Sequence, residues 1–169
     1  MMNREKSIEL LNKAVGDELL SVDQYMYFHF LCDDRGYAPL AAIFKRVAIV
    51  EMTHVEKLAE RILFLKGDVE MKQSGPVKHI RDVEGMLKCA MELESESIKE
   101  YNKWANECSK HEDSASKTLF ESLIVVEEEH YDIFDTEMDN MKTFGDNYLA
   151  LQAIDRSRES GVKDPGANT

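Results

Sequence analysis

Glu51-Met52-Thr53-His54 and Glu127-Glu128-Glu129-His130 repeat one spacing, a glutamate three residues before a histidine. On an α-helix that spacing puts both side chains one turn apart on the same face, where they can reach a single cation. One copy alone, in a chain with 33 acidic residues, reads as a solvated polar turn. Two details argue against that reading. Of the five histidines only His54 and His130 have a glutamate three residues earlier. Each pair also has a lone glutamate 33 residues upstream of its own, Glu18 before Glu51 and Glu94 before Glu127.

Those equal arms acquire a meaning once helices are placed. Ile8, Leu11, Val15, Val22, Tyr25 and Cys32 recur at helical steps and stop at Asp33-Asp34-Arg35-Gly36, which predicts a helix from about Arg4 to Asp34. Pro39 suits the first turn of a second helix, carrying Leu40, Phe44, Val47, Leu58, Ile62 and Leu65 up to Gly67. Residues 67–80 contain two glycines and Pro76 without periodicity, and read as a long connection. Asp82 is a candidate cap for a third helix with Val83, Leu87, Ala90, Ile98, Tyr101, Ala105 and Cys108 on one face, ending near Lys110. A fourth carries Leu119, Leu123, Phe134, Met138 and Met141 to about Phe144, and a short fifth covers Asn147 to about Arg156. The last residues are small and polar and are expected to be disordered, giving one domain over 1–157 and a tail over 158–169.

Short loops join helices 1–2 and 3–4 as antiparallel hairpins, and the long middle connection makes the fold an all-α four-helix bundle with a crossover between helices 2 and 3. In an antiparallel hairpin, residues equidistant from the turn lie at one height. The midpoint of 18 and 51 falls at Asp34–Arg35, and that of 94 and 127 at Lys110–His111, both at predicted turns. Each lone glutamate therefore faces its Glu-x-x-His across its own hairpin. All six also interrupt apolar stripes, Glu18 between Val15 and Val22 for example, so they should point inward.

Four ionised carboxylates inside an apolar bundle are too costly to stand alone. Protonation is one remedy. Two divalent cations balance four carboxylates charge for charge, with one neutral imidazole for each, and mixed carboxylate and imidazole donors suit iron or manganese. A Glu from each of two helices and a Glu-x-x-His from each of two others is the known constellation of di-iron carboxylate bundles.

Composition narrows the partners. At 169 residues the chain suits one domain, and 32% charged residues with eight Gly and three Pro favour long helices. A net charge of −12 argues against nucleic acid and anionic membrane as partners and in favour of cations. The N-terminus alternates charged and apolar residues unlike a signal peptide, and no apolar run is long enough for a membrane span, so a cytoplasmic location is expected. Cys32, Cys89 and Cys108 form no CxxC arrangement and read as reduced thiols and small core residues.

Gln24-Tyr25-Met26, the run from Glu51 to Ile62, Asp82-Val83-Glu84 and Gly145-Asp146-Asn147-Tyr148-Leu149 together resemble bacterioferritin, over residues 5 to 155 or so. The resemblance implies a ferritin-like bundle with a short fifth helix. It implies a homo-oligomeric hollow shell, usually a 24-mer, that oxidises Fe(II) with O2 or H2O2, stores the ferric mineral, and takes electrons for iron release from a ferredoxin-type donor. By the same likeness Glu18 and Glu94 would be terminal iron ligands, Glu51 and Glu127 would bridge two irons, and His54 and His130 would bind one each. Met52 points away from the core; it is either an apolar contact at a subunit interface or, as the resemblance implies, the axial ligand of a haem shared by two chains. Tyr25 and Tyr101 each sit seven residues after a lone glutamate, as hydrogen-bond donors to the site or as bundle-filling aromatics. The other methionines and Trp104 read as packing.

Some positions depart from the family pattern. The residue before each bridging glutamate is often acidic in the family, and here it is Val50 and Val126; a His and an acid that bind iron on the inner surface in some members are replaced by Arg46 and Val50. Support for the histidines and the iron route into the cavity are therefore open. Two other classes compete. A rubrerythrin-like peroxidase would normally carry a CxxC iron site, and a haem-free mini-ferritin protecting against oxidative stress usually places its di-iron site between subunits rather than within one bundle.

Overall fold

The turns between the helices set the architecture of the computed structural model, which describes residues 4–160, with side chains described to residue 154. Five helices follow in order: α1 (Arg4–Asp34), α2 (Ala38–Phe64), α3 (Val83–Lys110), α4 (Ser114–Phe144) and α5 (Asp146–Ser160). After α1 the chain reverses at Gly36, whose φ of 80° is the left-handed conformation that costs glycine least. The amide of Tyr37 closes this turn on the Cys32 carbonyl at 2.9 Å, satisfying a helix-end acceptor. Pro39 then lies in the first turn of α2, as expected.

The end of α2 differs from the sequence reading. The helix stops at Phe64, and the left-handed residue is Lys66 (φ 68°) rather than Gly67. Gly67 serves a close approach instead: a Cβ there would lie 2.7 Å from a methyl of Ile8 on α1. At the other end of the chain α5 continues to Ser160, past its expected end near Arg156 and through residues assigned to the tail; residues 161–169 lie outside the described residues.

Side-chain caps begin α3 and α4. Asp82 accepts from the Gly85 amide at 2.6 Å, and Asp113 accepts from the Ser116 amide at 3.1 Å. Asp113 is buried and also accepts from Arg61 Nη2 of α2 at 2.6 Å, while Arg61 Nε donates to Ser116 Oγ at 2.9 Å. This cap therefore ties the second hairpin to the first.

The connection after α2 has no regular structure and is strapped along α1. Asn12 donates to the Asp68 carbonyl and accepts from the Glu70 amide, the Ser74 amide donates to the Gly16 carbonyl, and Gln24 forms a two-way pair with the backbone of Lys78. α5 closes one end, with Gln152 accepting from the Leu40 amide and Tyr148 buried.

Two apolar clusters fill the bundle, one on each side of its middle. One holds Tyr25, Phe28, Phe44, Leu87 and Phe134; the other holds Leu11, Val15, Leu58, Ile62, Tyr101, Phe120 and Leu123. Phe120 and Phe134 are the fully buried aromatics of α4, and Leu119 packs only at the margin. Each such side chain contributes about 1.5–3 kcal/mol of burial, which is how the bundle tolerates polar groups between the clusters. Cys32, Cys89 and Cys108 are buried free thiols, in keeping with their reading as core residues.

Candidate metal centre

Between the two clusters lie all six residues singled out in the sequence. Glu18 comes from α1, Glu51 and His54 from α2, Glu94 from α3, and Glu127 and His130 from α4, and every one is buried. The four helices bring the paired arms of both hairpins to one level, as the turn midpoints require.

The donor atoms are arranged around two points. His54 Nδ1 lies 2.9 Å from Glu51 Oε2, 3.0 Å from Glu127 Oε1 and 3.4 Å from Glu18 Oε1. His130 Nδ1 lies 2.8 Å from Glu51 Oε1, 3.6 Å from Glu127 Oε2 and 3.9 Å from Glu94 Oε2. Glu51 and Glu127 each turn one oxygen toward each histidine. The two rings face one another with centroids 6.1 Å apart. Two overlapping donor sets result, Glu18–Glu51–His54–Glu127 and Glu51–Glu94–Glu127–His130.

Hydrogen bonding does not account for this packing. Both oxygens of Glu51, both ring nitrogens of His54, Glu127 Oε1 and His130 Nδ1 are buried without a hydrogen-bond partner among the described residues. A ring nitrogen carries at most one proton and cannot serve three oxygens at once. Bonds of about 2.1 Å at right angles around a cation place neighbouring ligand atoms about 3 Å apart, close to the shortest separations here. Buried polar atoms left unpaired cost about 1–3 kcal/mol each. The donor set thus fits two cations that share Glu51 and Glu127.

Electrostatics points the same way. Burial, reinforced by Glu127 and Glu51, pushes the Glu18 carboxyl well above the usual carboxylate range, and burial with Glu51 does the same to Glu94. Burial also opposes a charge on Glu127, but His130, His54 and Glu94 outweigh it and draw its carboxyl down to about 2. Against the same desolvation, Glu127, Glu18 and Glu51 raise His54 to about 12, and Glu127 and Glu51 raise His130 to about 9. Such a cluster holds together only if positive charge is supplied, by protons or by metal.

The tyrosines are both hydrogen-bond donors and packing residues, and the pairing crosses the bundle. Tyr25 on α1 donates to Glu94 Oε1 on α3, and Tyr101 on α3 donates to Glu18 Oε1 on α1 at 2.7 Å. Each phenol orients the lone glutamate of the other hairpin. Burial pushes both phenols well above their usual range, so they remain protonated donors. The shared seven-residue offset was the signal for this pair, but it could not reveal which glutamate each would meet.

Known proteins match this arrangement. The ferritin-like domain family matches residues 8–144. The bacterioferritin of Desulfovibrio desulfuricans is 36% identical over 152 residues, covering 88% of this chain and 85% of that one. The Rhodobacter capsulatus bacterioferritin is 33% identical, covering 89% of this chain and 94% of its own length. The chain belongs to the bacterioferritin family. An X-ray structure of the D. desulfuricans bacterioferritin, which describes its diiron site in different catalytic states, superposes with a TM-score of 0.87 at 35% identity and covers 89% of this chain and 88% of that one. The all-α bundle with its crossover and short fifth helix is thus the bacterioferritin fold.

Other residues fall outside the centre. Met52 is 58% exposed on the opposite side of α2, Arg46 is exposed, and Val50 and Val126 are half-buried. His54 Nε2 is buried and has no hydrogen-bond partner among the described residues. No helix among the described residues is long and apolar enough to cross a membrane.

Proposed function

We propose that this chain is a ferroxidase subunit of an iron-storing shell, with Fe(II) as substrate and O2 or H2O2 as oxidant. Glu18, Glu51, His54 and Glu127 hold one ferrous ion, and Glu51, Glu94, Glu127 and His130 hold the other. The observation that carries this reading is the sharing of Glu51 and Glu127, each with one oxygen toward each histidine. Two Fe(II) ions held side by side supply two electrons together, which reduces peroxide to water without releasing a radical. The protein orients the ions, excludes bulk water with its two apolar clusters, and fixes the terminal carboxylates through Tyr25 and Tyr101. Having lost hydration, charges act more strongly on one another in such an interior.

The ferric product accumulates inside a homo-oligomeric shell of 24 copies in the cytoplasm, and a ferredoxin-type donor reduces it for release. Met52 of two chains binds a haem across the dimer interface; its exposed thioether and the neighbouring Ile49, 53% exposed, support that placement. Arg46 and Val50 make the inner surface near α2 poor in iron ligands, so product leaves the centre by another path.

Size-exclusion chromatography with an absorbance spectrum and an iron assay tests this reading. The expected result is a particle of about 470 kDa, 24 copies of a 19.4 kDa chain, with a Soret band and bound iron. A colourless monomer or dimer that does not oxidise added Fe(II) contradicts it.

A further inference from the structure

A cavity of about 640 Å³ lies between α1, α3 and the connection strapped over them, a size typical of small-molecule sites. Its floor is apolar. Leu20, Leu93 and Trp104 are half-buried there, and Trp104 is backed by the rings of Tyr101 and Phe120, with centroids 5.4 and 5.8 Å away. The connection is pinned as the outer wall by the bond from the Ser74 amide to the Gly16 carbonyl, and a Cβ at Gly75 would lie 3.6 Å from Leu20. The pocket is therefore formed before any ligand arrives.

Its rim is acidic. Asp17, Glu70, Glu96 and Glu100 line it, and of the two lysines there Lys13 is held by Glu9 at 2.6 Å. Glu96 and Glu100 reach Lys99 and Lys103 at the surface of α3, in pairs of a kind that contributes little. Asp17 is half-buried, faces the Ser74 side chain and the carboxylates of Glu100 and Glu96, and makes no ion pair among the described residues. These carboxylates do not converge on a point: among the described residues, the donor groups close enough to share a metal ion are those of the centre. A hydrated ion would also gain nothing from the apolar floor, and an anion would be repelled by the rim. What fits is a larger cation that is partly apolar. Trp104 strengthens the match, since an indole face attracts an ammonium group more than other rings do.

We propose that this cavity binds an organic ammonium ion with an apolar body, its charged head at Asp17 beside Glu96 and Glu100 and its body on Leu20, Leu93 and Trp104. None of the six residues of the metal centre lines it, so binding needs no iron.

Trp104 is the one tryptophan of the chain, so its fluorescence reports on the cavity directly. The test titrates the purified protein with phenethylamine and with two compounds of the same body, phenethyl alcohol and hydrocinnamate, following Trp104 emission and the heat of binding. The expected result is a saturable emission shift with phenethylamine, binding of the alcohol about tenfold weaker, and none of hydrocinnamate. Asp17→Asn keeps the side-chain shape and should weaken the amine about tenfold while leaving the alcohol unchanged. Glu100→Gln should weaken the amine by less, and Asp132→Asn, at an exposed position on α4, should not change it. No saturable shift, equal binding of amine and alcohol, hydrocinnamate binding as tightly as the amine, or an unchanged amine affinity in Asp17→Asn overturns the proposal, and each leaves the ferroxidase reading intact.

Discussion

One turn of α2 places Glu51 and His54 in the interior with no exposure, and Ile49 and Met52 outside with more than half their surface in solvent. Both regions invert the usual sorting of side chains, since charged groups avoid burial without partners and large apolar patches mark contacts. The inside has too much negative charge for its hydrogen bonds, and the outside has too much apolar surface for a free helix. Further along α2, Leu63 and Phe64 are exposed as well. The contrast teaches that this chain is completed twice, by cations within and by another surface without. Since the two regions use opposite faces of one helix, they can be broken separately.

Removing a shared ligand should have the largest effect. Glu127→Ala takes an oxygen from both histidines at once, so binding of either ion is expected to weaken by more than about 100-fold, beyond the 10- to 100-fold typical of losing an outer partner; Fe(II) oxidation rates and metal titration check this, while the oligomer should persist. The complementary break is Ile49→Asp with Met52→Asp on the exposed face. It is expected to collapse the shell to small species on size exclusion while a folded bundle still binds two metal ions. Loss of metal binding along with assembly would show that the two faces are not independent.

Metal should also stabilise the fold. At a free concentration 100 times the dissociation constant, one bound ion contributes about 2.7 kcal/mol, and such a gain raises the melting temperature of a chain this size by about 5–10 °C. Calorimetry with Co(II) as an oxygen-stable probe should show this in the wild type and not in Glu127→Ala. Met52→Leu conserves volume and apolar character, so it should remove the Soret band with a stability change under about 1.5 kcal/mol and leave Fe(II) oxidation in place. Smallest is Tyr25→Phe, which deletes a single hydrogen bond to Glu94 and should cost about 1 kcal/mol in thermal unfolding.

Much of this was legible in the sequence because it depended on period and spacing. Helical period fixed which residues faced inward, and the two 33-residue arms fixed which levels met, so all six buried donors were identifiable before any coordinates. What sequence could not reveal depended on contacts between hairpins. Tyr25 could not be assigned to Glu94, nor Tyr101 to Glu18, because the relative slide of the two hairpins is set by packing rather than by loop length. The sequence places the end of α2 too late because Gly67 looks like the breaker, whereas the place of that glycine is decided by Ile8 on another helix. From sequence alone Trp104 is a packing residue. Its neighbourhood, the Tyr101 ring on one side and a cavity between α1, α3 and the connection on the other, exists only in three dimensions.

The central claim is that two metal ions share Glu51 and Glu127 inside one chain. Titrating metal-free protein with Fe(II) under air while recording ferric absorbance tests it most directly. The account predicts a fast phase that ends at two Fe(II) per chain. A break at one Fe(II) per chain, or oxidation no faster than in buffer, would contradict it.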